Sequence, residues 1–400
     1  MNIGIISDVH LGDDHCKLIR GGNITATYES LKNNIFKFTK KKALDYLVLD
    51  GDIIDFSINS FEESCIAAKY FFRAIEKDGL VKELIYIPGN HDKHVWDAVE
   101  WETNIIRRLK EHEDPRGFRR TQPGLIDYKS NAPLELSGVS RVVNTKHYGT
   151  LFLEGLFEKG KTLPINVVYP NLYIRTEKDV YLITHGHMLE LAWVLLSEVF
   201  CGEPELAGKQ GIRELEEFNI PLTSMICTGV GQGGAVSKLF YTIQKEAKRG
   251  KTGRMKKLLD NVMPKLDQLI ELPGYVEFLD DALLIAIRKA ALYLAGDVSD
   301  SRYDEDFFKK ESVRKRFLIF HAASCSQAEE LGFEAPNKII FGHTHEPLSY
   351  EAPMEIENLS FVKDGKAYLY NTGGWLDEEG KSAEIFFFDD NGSLSSVNIK

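Results

Sequence analysis

Five short clusters of Asp, His and Asn punctuate this 400-residue chain. They read Asp8-Val9-His10, Gly51-Asp52-Ile53-Ile54-Asp55, Gly89-Asn90-His91-Asp92, His185-Gly186-His187 and Gly342-His343-Thr344-His345. Carboxylate, amide and imidazole groups are the donors that hard and borderline divalent ions favour. Asp8 and His10 are two residues apart, so on an extended strand both would point to one face; His343 and His345 repeat the spacing. Asp52 can bridge two ions, one on each oxygen, while Asn90 offers a neutral amide oxygen and His185 a further imidazole. Any single cluster is bland, because an Asp after a strand is usually a turn or helix-cap residue. Five in this order supply the ligands of two adjacent divalent ions. Such a pair, roughly 3.5–4 Å apart, is a device for hydrolysing phosphate esters.

The elements that must position these residues are short apolar runs. Ile3–Ser7, Tyr46–Leu49, Leu84–Ile87, Val180–Ile183 and Lys338–Phe341 each read as a strand that ends at a cluster. Helical patterns over Tyr28–Lys42 and Ser64–Lys77 separate the first three, and Trp96–Lys110 looks helical, with apolar residues at Val95, Val99, Ile105, Ile106 and Leu109. Strands alternating with helices predict an α/β sheet with crossover connections and a site at the carboxyl ends of its strands. Ala367–Tyr370 and Ile385–Phe388 read as further strands, the latter followed by an Asn391-Gly392 hairpin turn. Residues 112–165 are less regular.

From about residue 190 to 330 the pattern becomes mainly helical, so the domain reading is a core over 1–189 and 331–400 with a helical insertion or cap over 190–330. The Gly229–Gly234 stretch reads as a flexible turn, not a dinucleotide site, since no clear strand precedes it.

Composition bounds the function class. A hydrophobic content of 43% and a net charge of −11 describe a soluble globular chain and count against a broad nucleic-acid surface. The opening Met1–Ile6 reads as a buried strand and not as a signal peptide. Cys16, Cys65, Cys201, Cys227 and Cys325 are scattered, with no C-x-x-C pair, which fits free thiols in a reducing cytoplasm. The basic stretch Lys245–Lys257 reads as a solvated junction, or as a docking patch for a polyanion or an anionic membrane surface. Leu283–Ala295 is apolar almost all round but broken by Arg288 and Lys289, which suits a buried helix or a contact in a homo-oligomer rather than a membrane span.

Asp-x-His, Gly-Asp-x-x-Asp, Gly-Asn-His-Asp, a lone His and Gly-His-x-His together resemble the calcineurin-like metallophosphoesterase superfamily, over roughly 1–95, 165–190 and 335–400. The resemblance implies a four-layer α-β-β-α sandwich with a dinuclear site at its crest. It implies that Asp8, His10 and His345 hold one ion, that Asn90, His185 and His343 hold the other, and that Asp52 bridges them. His91 would face the substrate phosphate and Asp55 would orient it, which makes these two the catalytic candidates. Water activated by the ions, its pKa lowered toward ~7, would attack phosphorus in line. His91 would neutralise developing charge or protonate the leaving alkoxide.

Two departures narrow the reading. Protein Ser/Thr phosphatases of this superfamily carry Arg after Gly-Asp-x-x-Asp, where this chain has Phe56; the lipid A pathway pyrophosphatases carry Arg at the position of His91. The expectation is a metal-dependent hydrolase of a phosphate ester, diester or pyrophosphate bond in a phosphorylated small molecule or nucleotide-like substrate. Mn is the expected metal, with Fe, Zn, Ni or Co as alternatives. A nuclease acting on nucleic acid is the second reading. A non-catalytic protein-binding scaffold is the third, disfavoured because every ligand and His91 are present. Lesser candidates are His187, read as a contact to substrate or a metal-bound water or as a structural residue; His94 and Trp96, read as a surface helix or as the rim of the pocket; and His15 and Arg20 in the first loop, read as contacts to a second phosphate or a leaving group or as ordinary polar loop residues.

Overall fold

The computed structural model describes residues 1–57, 59–136, 151–200, 211–231, 307–377 and 382–399, together with 253, 257 and 260. Most of the basic stretch, all of Leu283–Ala295, Cys201 and residues 232–234 lie outside these. The chain divides into two compact units, one of Met1–Gly186 with Ser324–Lys400 and one of His187–Ala323.

The first unit is a mixed α/β fold built on two larger sheets. One sheet runs Leu394–Ile399, Ala383–Phe388, Ile3–Ile6, Leu44–Asp50, Val81–Ile87, Ile165–Val167. Its last four strands are parallel, as crossover helices require. The other runs Met354–Glu357, Lys366–Asn371, Lys338–Phe341, Val180–Thr184, Asn171–Arg175, Gly124–Asp127, Ala132–Leu136. Side chains alternate across each strand. Ile3, Ile5, Val48, Ile85 and Ile87 therefore share one core with Leu172, Ile174, Ile183 and Ile340 of the second sheet. Leu47, Leu49, Leu84, Tyr86 and Phe387 share another with Tyr28, Leu31 and Ile35 of helix Ala26–Phe38 and Phe71, Phe72 and Ile75 of helix Phe61–Asp78. Each such side chain, fully buried, contributes about 1.5–3 kcal/mol of transfer free energy.

Local signals set the helix ends. Ser60 caps Phe61–Asp78 by accepting from the Glu63 N–H at 3.2 Å, and its hydroxyl donates back to Glu63. Gly79 ends that helix at φ 63°, where glycine has no Cβ to clash. The Asn391-Gly392 turn joins the last two strands as its sequence predicts, with Gly392 at φ 77° and Asp389 Oδ1 accepting from the N–H groups of Asn391 and Ser393.

Two expectations need correction. The helix over His94–Lys110 is not uniform: α-helix His94–Trp101 passes through a π-helical stretch, Glu102–Ile106, into Arg107–Lys110. The wider turn changes which face looks inward, so Asn104 is buried while Ile106 and Leu109 are exposed. Trp96, read as a surface residue, is buried and stacked on Tyr169 with centroids 5.0 Å apart. Cys16 and Cys325 are buried free thiols and Cys65 is half-buried.

In the second unit, helix Leu191–Phe200 meets helix Ile212–Gly231 through the Ser197 N–H, which donates to Asn219 Oδ1 at 3.1 Å. Gly229 and Gly231 lie in the last turn of the latter helix, so they are not a turn. No described helix is long and apolar enough to cross a membrane.

An ion pair ties strand Gly124–Asp127 to its neighbour Asn171–Arg175. Arg175 reaches Asp127 through Nε at 3.1 Å and through its terminal nitrogen at 2.6 Å. The guanidinium hydrogen bonds hold the Asp127 carboxyl down to about 2. A carboxyl depressed on folding adds stability above its unfolded pKa and loses it as pH falls through the folded one. The wild-type advantage over Arg175→Met in urea denaturation should therefore be full at pH 6 and shrink between about pH 4 and pH 2. A constant difference across that window would contradict the assignment.

Candidate metal centre

Each of the five clusters follows a strand end, and backbone hydrogen bonds carry the ladder into the loops. The Asp8 N–H donates to Gly51 O at 3.0 Å, His10 N–H to Asp52 O at 2.9 Å, and Gly342 N–H to His185 O at 3.1 Å. The extended geometry expected for Asp8-x-His10 and His343-x-His345 is not what forms. The strands stop at Ile6 and Phe341, and Asp8, His10, Asp52, His343 and His345 take φ values of 50°, 51°, 52°, 66° and 58°. A left-handed non-glycine residue costs about 1–2 kcal/mol, so five in one place mark a conformation held by its surroundings.

These turns bring the ligands together in two buried groups. Asp8, His10 and His345 form one, and Asp52, His185 and His343 the other, with donor atoms within 4.8 Å of one another in each group. His345 Nε2 lies 3.3 Å from Asp8 Oδ1 and 3.1 Å from His10 Nε2. His185 Nδ1 faces the Asp50 carbonyl at 3.1 Å. Donating there leaves the lone pair on Nε2, which points at Asp52 Oδ2 (3.2 Å) and Asn90 Oδ1 (3.1 Å). Asp52 Oδ2 is buried and accepts no hydrogen bond. Burial pushes the Asp52 carboxyl up, but His185, His91 and His10 around it hold it well below the usual range. Burial likewise opposes charge on His185, yet the Asp52 carboxylate lifts it to about 10. Electron-rich oxygens and imidazole nitrogens converging in a dry space fit a pair of divalent ions.

Asp55 couples this centre to His91. One carboxylate oxygen faces His10 Nδ1 at 3.0 Å and the other faces His91 Nδ1 at 3.2 Å. Burial raises this carboxyl, but the two imidazoles hold it far below the usual range. His91 Nε2 then points inward, 3.9 Å from Asp52 Oδ2. Ser57, which the sequence reading did not single out, bonds through its hydroxyl to His91 Nδ1 and Asp55 Oδ1. The Asp-x-Ser spacing was its signal, since the Asp55 side chain also accepts from the Ser57 N–H at 3.1 Å.

Asp92 is the other residue whose role was missed. Its carboxylate accepts from the N–H groups of Gly89 (2.6 Å), Ile53 (2.8 Å), Asp52 (3.3 Å) and Ile54 (3.4 Å), and from the Tyr86 hydroxyl. It ties the second and third clusters into one body. Asp8 does the same for the first and fifth clusters, which follow strands of different sheets, accepting the His343 N–H at 3.0 and 2.8 Å and a bond from Ser7, which also meets Thr372. Asp50 is fully buried with neither carboxylate oxygen hydrogen-bonded, and burial raises it well above the usual range. The lesser candidates His187, Arg20 and His15 are not among the grouped donors. His187 belongs to the other unit, with its ring 6.5 Å from Trp193. Arg20 pairs with Asp377 at 2.8 Å on the surface, and the His15 N–H donates to Asp13.

Glycines let the loops close. A Cβ on Gly89 would lie 2.4 Å from Asp52 Oδ1 and 2.6 Å from the Asp52 backbone nitrogen, and one on Gly342 would lie 2.1 Å from Asp8 Oδ2. Gly89→Ala should therefore displace Asp52, lower metal content by elemental analysis and cost about 1–3 kcal/mol in chemical denaturation. Full metal occupancy in a well-folded variant would contradict this packing.

Residues 1–220 match the family model described as calcineurin-like phosphoesterase. No curated protein matches the sequence. Among solved structures, a dimetal phosphatase from Danio rerio is similar at 9% identity, covering 100% of this chain and 98% of its own, with a TM-score of 0.32; at that score the likeness carries no argument. The family match extends over more than half of the chain and spans the first four clusters; side chains of the first, second and fourth meet those of the fifth in the two ligand groups. The chain belongs to the calcineurin-like phosphoesterase family and is a dinuclear metal-dependent phosphoesterase.

Proposed function

We propose that this phosphoesterase hydrolyses a phosphate ester or pyrophosphate bond in a phosphorylated small molecule, and that the residues divide the work as follows. Asp8, His10 and His345 hold one ion, Asn90, His185 and His343 the other, and Asp52 lies between them. Bound there, two divalent cations supply charge for the phosphate oxygens and a nucleophile from water. Mn is the proposed metal, with Fe, Zn, Ni or Co as alternatives, since a set of carboxylate, amide and imidazole donors without thiolate suits each of these.

The observation that carries the reading is Asp52. Its Oδ2 is buried, takes no hydrogen bond, and faces an imidazole of each group, His185 at 3.2 Å and His10 at 4.0 Å. Divalent cations bound beside it would supply the partner that this oxygen lacks.

His91 is the proposed acid. Asp55 and Ser57 hold its Nδ1, so the proton that can move sits on Nε2, on the side of Asp52. The negative Asp55 favours the imidazolium, and proton donation from it to the leaving oxygen contributes typically 10²–10⁴-fold. In a screen of the Mn²⁺-loaded protein against monoesters, diesters, nucleotide pyrophosphates and single-stranded DNA, small-molecule phosphoester turnover is expected. His91→Ala should keep its metals and lose roughly 10²–10⁴ in kcat, with a smaller loss for p-nitrophenolate than for alkyl leaving groups. Turnover of DNA alone would favour the nuclease reading, and equal losses for both leaving groups would remove the proton-donor role.

The helical unit is proposed to select substrate, because in sequence it follows His185 at once and returns shortly before His343. Replacing 190–330 by a short linker should spare hydrolysis of a small generic ester and change preference among larger ones. An unchanged substrate profile in the folded, metal-loaded protein would assign the unit to a subunit contact instead.

A further inference from the structure

An aromatic cluster beside His91 has no part in holding the metals. Phe56 follows Asp55, is 2% exposed, and donates its backbone N–H to the His91 carbonyl at 3.2 Å. On its ring lie two others: Phe61, with centroids 4.8 Å apart, and His94, at 6.0 Å. Phe61 and His94 meet each other edge to face at 5.2 Å and 86°. Phe61 is the first residue of helix Phe61–Asp78 and His94 the first of helix His94–Trp101. Phe152 backs Phe56 from another direction at 5.8 Å.

The upper pair is open to solvent. Phe61 is 40% exposed and His94 is partly exposed. The helix cap does not need Phe61, because Ser60 and Glu63 already satisfy each other. A large aromatic ring held half in water by a buried one beneath it is a flat apolar wall. Its place in the chain ties it to the leaving group. His94 comes three residues after His91, and Phe56 is bonded to His91 itself. If His91 hands its proton to the leaving oxygen, whatever that oxygen carries departs on the His91 side.

We infer that Phe61 and His94 form a specificity wall for the leaving group, and that the substrate carries a planar aromatic moiety there, such as an aryl alcohol or a nucleoside base. An aromatic ring packed edge-to-face or offset on another is stabilised beyond its apolar burial. The inference rests on the assignment of His91 to the leaving group.

Phenylphosphonate and methylphosphonate separate the wall from the metals, because both offer the same phosphonate and neither is hydrolysed. In titration calorimetry of the Mn²⁺-loaded full chain, phenylphosphonate should bind more tightly by roughly 3–10-fold. Phe61→Ala and His94→Ala should each reduce that preference, and Phe61→Tyr should keep it. The ratio of kcat/KM for phenyl over ethyl phosphate should fall in parallel in the Ala variants, mainly through KM. Equal affinity of the two phosphonates, or a preference that survives both Ala variants, would overturn the wall while leaving the phosphate site standing. Failure of both phosphonates to bind would overturn the wall together with the reading beneath it.

Discussion

Electron-rich atoms do not gather in a dry place unless the chain forces them there. Asp8, Asp52, Asn90 and four imidazoles crowd at the ends of two sheets, and nearly all are buried. Water would ordinarily separate such groups, since two like charges a few ångströms apart repel strongly at low dielectric. What holds them is a frame of backbone N–H donors. Asp92 collects four N–H groups and a phenol, and Asp8 collects the His343 N–H. These bonds tie the loops together through the protein's own backbone, independently of the ligand side chains that face the centre.

The same frame explains the left-handed residues and the glycines together. A tight loop that must return a side chain to a point above its own strand leaves the ordinary regions of backbone space. Asp8, His10, Asp52, His343 and His345 accept that strain. Gly51, Gly89, Gly342 and Gly374 instead remove side chains that would collide with His185, Asp52, Asp8 and His345. Function is thus written partly in residues that touch nothing chemically reactive.

Much of this was legible from residue order. The apolar runs ending at Ile6, Leu49, Ile87, Ile183 and Phe341 are four to seven residues long and bounded by polar clusters, so the strands and the ligand loops were readable as units. Strands without that contrast were not. Leu394–Ile399 carries two serines and an asparagine, and Met354–Glu357 is a half-buried edge strand of alternating glutamates. Asn171–Arg175 is buried, but its asparagine and tyrosine bond to Ser324 and Gln327, which only the folded chain brings near. Asp92 escaped for a related reason: its partners are mainly backbone N–H groups, and no residue pattern announces a backbone group. The inward turn of Asn104 depends on the π-helical stretch before Arg107, which apolar spacing cannot reveal.

The strand order has a consequence for how the molecule is made. Ile3–Ile6 lies between Leu44–Asp50 and Ala383–Phe388, so its two neighbours are separated by most of the chain. Synthesis at about 5–20 residues per second delivers the second neighbour roughly 20–80 s after the first strand. Until then one edge of an apolar strand stays open to wrong pairing. His343 and His345 arrive just as late, so Asp8 and His10 wait beside an incomplete set of ligands. Loading of the ions is therefore an event of the finished chain, and the nascent protein must be shielded, not merely folded, to reach it.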